Sequence, residues 1–131
     1  MMAPALFVMS PVVVMAPVMV PELSIEAAET LAAQGIKARV LDMHTVKPID
    51  TDAVVAAVMD CDQIITVEDH NIIHGLGSGV ACVAAEMGKG RVWRLGIQDQ
   101  FGQSAPYERL LEVNGVTVEN IVAVAHKLTR K

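Results

Sequence analysis

Short strand-like segments alternate with amphipathic segments of roughly three helical turns, and this alternation constrains the fold more than any other feature of the sequence. The strand-like segments are Val12–Ala16, Ile36–Asp42, Gln63–Val67 and Arg91–Leu95. Strands that are joined through a helix run parallel, by right-handed crossovers. The sequence therefore predicts an α/β domain whose mostly parallel sheet is covered by helices on both faces.

Five helices are predicted from apolar spacing and from the residues that begin or end them. Asp50 and Thr117 should each cap a helix by accepting hydrogen bonds from its free N–H groups. Gly35 should end the first helix, because glycine readily adopts the left-handed conformation found there. The predicted helices are Glu22–Gln34, Thr51–Asp60, Leu76–Met87, Pro106–Val113 and Val118–Thr129.

Residues 1–21 carry no charged side chain. A signal peptide would need a basic segment before its apolar stretch, and a membrane helix needs about 20 apolar residues without frequent breakers. Pro11 and Pro17 interrupt this stretch, so two strands, Leu6–Met9 and Val12–Ala16, are predicted instead. The two-residue turn between them can only join antiparallel neighbours or reverse the chain, so Leu6–Met9 should run against the other strands.

Charge and cysteine content exclude several classes of partner. The net charge is −5 and the sequence pI is about 5.2. Without a basic stripe, neither nucleic acids nor membranes are expected to bind. Cys61 and Cys82 match neither a zinc motif nor a CxxC redox pair, so they are expected to be free thiols in a cytoplasmic protein.

The densest polar stretch, VEDHNIIHGLGSGVACVAAE, spans residues 67–86 and leads into a helix. His70 and His74 have the spacing that places two zinc ligands on one helix face. Gly75 follows at once and interrupts such a helix, and adjacent acidic residues rarely converge with two histidines as a third ligand. No metal site is therefore predicted.

Glycines in the same stretch raise the alternative of a phosphate-binding loop before the helix. The dinucleotide fingerprint GxGxxG fails because its sixth position is Val80, and a P-loop fails because this stretch contains no lysine. Two interpretations stay open: small residues that let the helix pack closely on the sheet, and a weak anion or ligand crevice. The residues of that crevice would be His70, Gly75, Gly77, Ser78 and Gly79.

Nucleophilic and acid–base sites are not indicated either. Ser78 lacks the flanking glycines of a GxSxG nucleophile elbow. Glu68 and Asp69 could act as acid and base, but no neighbouring residue marks them for such a role. We therefore predict no catalytic residue and no cofactor-binding residue in this chain.

Five segments, taken in chain order, are distinctive as a set. They are VVVMAPVMV, GIKARVLDMHTVKPID, IITVEDHNIIHGLGSGVACVAAE, RLGIQDQFGQSAPYERLLE and GVTVENIVAVAHKL. Together they resemble the C-terminal domain of transketolases, within the thiamine diphosphate-dependent superfamily, and the resemblance runs from Val12 to Leu128. VKPID resembles a KP(I/L)D turn of that superfamily, and FGQSAPYERLL resembles the transketolase segment more than its counterparts in deoxyxylulose-phosphate synthases and 2-oxo acid dehydrogenase beta chains.

The resemblance implies one domain over residues 1–131, with a three-layer α/β/α architecture and a five-stranded mixed sheet. The implied strand order is 1-3-2-4-5, with strand 1, Leu6–Met9, antiparallel to the rest. Residues 1–11 then form either this short first strand or a poorly ordered segment. The implied fold agrees with the mostly parallel sheet that the alternation of segments predicts.

Transketolases transfer ketol units between sugar phosphates in the pentose phosphate pathway, using thiamine diphosphate and a divalent metal. The resemblance implies that the cofactor-binding motifs belong to other domains, since no Gly-Asp-Gly occurs in this sequence. The chain alone is therefore expected to be inactive and to have a structural and dimerisation role. Its expected partners are the thiamine diphosphate-binding domains or subunit of the same enzyme, in a cytoplasmic homodimer.

Two alternatives accompany this interpretation. The chain could be a ligand-binding or regulatory module, because the implied strand order places a topological switch point beside Ala16–Val20 and Glu68–Gly79. Pro17 stands where the family usually has glycine, which stiffens that loop and weakens its capacity to bind an anion. The chain could instead be part of a deoxyxylulose-phosphate synthase or of a 2-oxo acid dehydrogenase beta chain.

Overall fold

The computed structural model describes residues 12–17, 21–43, 49–61, 63–71, 75–97 and 106–129. Strands and helices alternate along these ranges in the manner that the sequence predicts. The strands are β1 (Val12–Pro17), β2 (Ala38–Met43), β3 (Gln63–Asn71) and β4 (Arg91–Ile97). The helices are α1 (Pro21–Ala33), α2 (Thr51–Asp60), α3 (Leu76–Met87), α4 (Tyr107–Val113) and α5 (Val118–Thr129).

The four described strands form one parallel sheet in the order β2-β1-β3-β4. Val14, in the middle of β1, lies opposite Val40 on one side and Ile65 on the other. This order agrees with the implied order of the last four strands. The fifth, antiparallel strand at Leu6–Met9 falls outside the described residues, so the mixed five-stranded sheet stays a prediction and the described sheet is parallel throughout.

The side chains of β1 alternate between two buried clusters, one on each face of the sheet. Val12, Val14 and Ala16 belong to a cluster that α1, α4 and α5 complete. Val13 and Met15 belong to a second cluster, which α2 and α3 complete. The residues Val12 to Met15 have no exposed surface, as a central strand with helices on both faces requires. The three layers predicted for the domain are therefore confirmed among the described residues.

Local capping signals set the helix ends, and α2, α3 and α5 have the predicted bounds. The Asp50 carboxylate accepts a hydrogen bond of 3.1 Å from the Ala53 N–H. The Thr117 hydroxyl accepts one of 3.1 Å from the Asn120 N–H. Gly35, which follows α1, has φ = 85°, in the left-handed region that glycine adopts without strain. Both predicted caps and the predicted helix stop are thus confirmed.

The main difference from the predicted secondary structure is the length of β3, which continues to Asn71 instead of ending at Val67. Val67 lies opposite Leu95 and Asn71 lies opposite Ile97, so β3 uses four steps where β4 uses two. The sequence prediction ended the strand early because a run of acidic and polar residues does not show the alternation of a half-buried strand. Within the described ranges, no helix has the length and apolar character needed to cross a membrane.

Candidate functional site

The candidate site lies where the carboxyl ends of β1 and β3 meet at the centre of the sheet. The strand order reverses there, because β2 lies on one side of β1 and β3 on the other. Crevices outside such strand ends are the usual ligand positions in open α/β sheets. The switch point thus has its predicted position, although 18–20 and 72–74, two parts of the predicted crevice, fall outside the described residues.

Glu68, near the end of β3, is fully buried and connects this strand to the start of α3. Its two carboxylate oxygens accept hydrogen bonds of 2.9 Å, one from the Leu76 N–H and one from the Gly77 N–H. The first N–H groups of a helix have no partner within the helix and carry its positive partial charge. A buried carboxylate needs such partners, since an unpaired charge is costly to remove from water.

This arrangement decides what the glycine-rich helix start can bind. The Glu68 carboxylate occupies the position in which an external anion would accept hydrogen bonds from the Leu76 and Gly77 N–H groups. The Gly79 N–H donates to the Gly75 carbonyl within the first turn, at 3.2 Å. An anion at the predicted crevice would therefore have to compete with an internal carboxylate. The weak crevice at Gly75, Gly77, Ser78 and Gly79 stays a prediction.

Gly77 lets α3 approach the sheet more closely than any other residue would allow. A Cβ atom at this position would lie 2.7 Å from the Thr66 hydroxyl oxygen and 2.8 Å from Cγ of Arg94. Thr66 is fully buried, so its side chain has little space to move away. Gly79 differs, because a Cβ there would meet mainly the flexible tip of Ile49 at 2.8 Å. These contacts support the packing interpretation of the glycines, specifically at Gly77.

Not all of the other residues singled out in the sequence fall within the described part of the structure. His70 belongs to β3, and its side chain falls outside what the structure describes, as does His74. Across the described ranges, no three His, Cys, Asp or Glu side chains lie close enough to share a metal ion. Cys61 is buried and Cys82 is exposed, and both are free thiols, as predicted.

Comparison with known protein families gives a match that covers most of the described fold. The family model described as "Transketolase, C-terminal domain" matches residues 12–121. This range begins with β1 and ends within α5, so it contains the whole described sheet and the Glu68 contact with α3.

Curated relatives are identical to this chain at about a third to two-fifths of the aligned positions. The 6-deoxy-6-sulfo-D-fructose transketolase subunit of Clostridium sp. (strain MSTE9) is 41% identical over 105 residues, which cover 80% of this chain and 33% of that protein. The 1-deoxy-D-xylulose-5-phosphate synthase of Heliobacterium modesticaldum is 35% identical over 104 residues, which cover 79% of this chain and 16% of that protein. The chain thus spans a third or less of these two relatives.

A solved structure supports the same relationship. It is described as "Split gene transketolase, inactive beta4 tetramer" and is 37% identical in sequence. The superposition has a TM-score of 0.83 and covers 92% of this chain and 40% of that one. At this level of identity, the match concerns family as well as fold.

Replacing Gly77 by alanine should destabilise the domain, because the added methyl group would press against the buried Thr66 side chain. We expect Gly77→Ala to lower the free energy of unfolding by about 1–3 kcal/mol, as overpacking usually does. Gly79→Ala is the matched control and should be neutral or up to ~1 kcal/mol stabilising, because alanine favours helix. Urea unfolding measures both, and equal stabilities for the two variants would contradict the packing role of Gly77.

Replacing Glu68 by glutamine should also destabilise the domain, although the shape of the side chain is kept. The amide oxygen can accept one hydrogen bond, but the NH₂ group would then face a second N–H donor. We expect Glu68→Gln to lower the free energy of unfolding by about 1–3 kcal/mol. Glu86→Gln, at an exposed position on α3, is the control and should change the free energy of unfolding by less than about 0.5 kcal/mol. If the two variants unfolded at the same urea concentration, the Glu68 contact would not be a stabilising cap.

Proposed function

Because the chain belongs to the family of transketolase C-terminal domains, we propose that it is one section of a larger thiamine-dependent transketolase with a structural role in that enzyme. The family match over residues 12–121 supports this assignment. The 33% coverage of a transketolase subunit supports the presence of further domains in the working enzyme. The enzyme as a whole would transfer ketol units, and this chain would contribute no catalytic residue.

The structural role rests on one observation, the hydrogen bonds that the buried Glu68 carboxylate accepts. At the switch point, where an α/β domain usually binds its ligand, this buried carboxylate is engaged by the Leu76 and Gly77 N–H groups. A polar group that is satisfied inside the domain stabilises the fold and is withdrawn from solvent. The chemistry at the edge of the sheet thus supports stability over catalysis.

The described residues at the switch point do not suit thiamine diphosphate. A diphosphate needs free N–H groups or cations, and the carboxylate of Glu68 stands at the N-terminus of α3 and would repel it. The sequence also has no Gly-Asp-Gly motif. In our proposal the cofactor and the divalent metal are held by the partner domains or subunit, and this chain supplies neither ligands nor a proton relay.

The proposed assembly is a cytoplasmic homodimer of the complete enzyme, in the pentose phosphate pathway. Support for subunits of this type comes from the relative named as a transketolase subunit. The solved relative described as an inactive tetramer supports a protein that self-associates without being active. A section of a 1-deoxy-D-xylulose-5-phosphate synthase is the alternative enzyme, supported by the relative of that name. A 2-oxo acid dehydrogenase beta chain stays a prediction from the resemblance alone.

The isolated chain, supplied with thiamine diphosphate and Mg²⁺, should show no ketol transfer from a ketose phosphate donor to an aldose phosphate acceptor. Isothermal titration calorimetry should likewise give no heat of thiamine diphosphate binding. A complete transketolase, assayed in the same buffers, is the positive control. Clear turnover or cofactor binding by the isolated chain would overturn the structural role. Sedimentation equilibrium of the complete enzyme would test for the homodimer.

A second candidate function is a ligand-binding or regulatory module at the switch point, with Gly75, Gly77, Ser78, Gly79 and His70 as its residues. The position of the crevice, beyond the ends of β1 and β3, favours this candidate. Competition from Glu68 weakens it.

Thermal unfolding with inorganic phosphate distinguishes the two functions. We expect no saturable rise in melting temperature when phosphate replaces chloride at equal ionic strength, because Glu68 already fills the anion position; the general stabilising effect of phosphate does not saturate. A rise that saturates with phosphate in the parent protein, and is absent from a Gly77→Ala variant that still folds, would favour the ligand module. A nucleotide series under the same conditions would extend the test to larger ligands.

A further inference from the structure

A groove of about 820 Å³ lies between α1, α4 and α5. These helices cover the face of the sheet opposite to the one that α2 and α3 cover. The floor of the groove is apolar and rests on the first buried cluster, which those three helices cover. Leu111 and Val116 are buried, while the remaining floor residues are only partly covered. The apolar floor residues are Leu23, Leu111, Val116, Val118 and Val122.

Four carboxylates surround this floor and come from three different helices. Glu26 belongs to α1, Glu108 and Glu112 to α4, and Glu119 to α5. Of these four carboxylates, only Glu112 pairs with a cation within the described residues: Arg109 Nη1 lies 3.3 Å from its Oε2, in an exposed pair. No lysine or arginine lines the described groove. The rim is therefore negatively charged.

Helix dipoles explain only part of this rim. Glu108 and Glu119 lie in the first turns of α4 and α5, where acidic residues stabilise a helix. Glu26 lies beyond the first turn of α1, and Thr30 and Gln34 follow it at four-residue intervals along the groove wall. Its charge faces the groove without a dipole to compensate.

We propose that this groove binds a basic amphipathic helix of a partner protein. The apolar face of that helix would cover Leu23, Val118 and Val122, and its lysine or arginine side chains would meet the rim carboxylates. Helix-in-groove recognition combines apolar anchors with a polar rim in this way. The proposal does not depend on which thiamine enzyme the chain serves.

Two cations of the described part of the chain have partners elsewhere. Arg39 pairs with Asp60 at 3.2 Å, and Lys127 lies over the Trp93 ring at 4.7 Å from its centre, both away from the groove. A second copy that docks through the same groove is a poor occupant, because its acidic rim would repel this one. Nucleic acid would be repelled for the same reason. A positively charged partner would therefore be complementary to the acidic rim.

Fluorescence anisotropy with a designed peptide tests the proposal. The probe is a fluorescein-labelled helix with leucine at positions i, i+3, i+4 and i+7 and lysine at the others, titrated with the chain at low salt. A peptide with glutamate at every lysine position is the charge control. We expect saturable binding of the lysine peptide, no measurable binding of the glutamate peptide, and weaker binding as salt is added.

A pair of matched variants locates the binding. The groove variant is Glu26→Gln with Glu119→Gln, and the control is Glu22→Gln with Glu29→Gln, at exposed positions that do not line the groove. Both variants change the net charge equally, and each removes one first-turn glutamate. The groove variant should bind the lysine peptide at least about threefold more weakly than the control.

A third variant tests the floor. Val122→Thr nearly keeps the shape of the side chain but replaces one methyl group by a hydroxyl, so binding should weaken while circular dichroism stays unchanged. The proposal is overturned if the lysine peptide does not bind, if the glutamate peptide binds equally well, or if the groove and control variants have the same affinity. The readout of this proposal is peptide binding, whereas the proposed structural role is tested by the catalytic activity of the isolated chain. A failure of one is therefore distinguishable from a failure of the other.

Discussion

The hydrogen bonds from the Leu76 and Gly77 N–H groups to the buried Glu68 carboxylate hold together the centre of this domain. They fix the start of α3 against the end of β3, at the point where the strand order reverses. A buried carboxylate without partners would strongly destabilise the fold, and a helix start without acceptors would leave its N–H groups unsatisfied. The carboxylate supplies acceptors for the N–H groups, and the N–H groups supply hydrogen bonds to the buried carboxylate. The close approach that this requires explains why position 77 is glycine, since a Cβ would meet the Thr66 hydroxyl.

Elements with local signals could be predicted from the sequence. Val12–Ala16 is an uninterrupted apolar run, and the structure places β1 there, central and buried on both faces. Asp50 and Thr117 act on N–H groups three residues further along, so their role as caps is visible in the sequence itself. The order of the last four strands required the family resemblance, because period and capping do not determine which strands are neighbours.

Features that depend on contacts between distant residues could not be predicted in the same way. The sequence prediction ended β3 at Val67 because Glu68 looks like a surface residue. Its partners lie eight and nine residues further along and become available only when α3 folds back over the strand. The glycine stretch was ambiguous for a related reason. Whether Gly77 serves packing or anion binding depends on how close Thr66 and Arg94 come, and no local pattern encodes that distance.

Among the described residues, the Glu68 carboxylate at the switch point is turned inward and helices cover both faces of the sheet, so the outer surfaces of these helices are available for contacts with other domains. The two helical layers differ there. The groove beside α1, α4 and α5 has four glutamates on its rim, whereas a smaller groove of about 430 Å³ between α2 and α3 has one, Glu86. Salt screens contacts made by exposed carboxylates and leaves apolar contacts in place. The first layer is therefore suited to selecting a partner by charge, and the second to packing that is independent of charge.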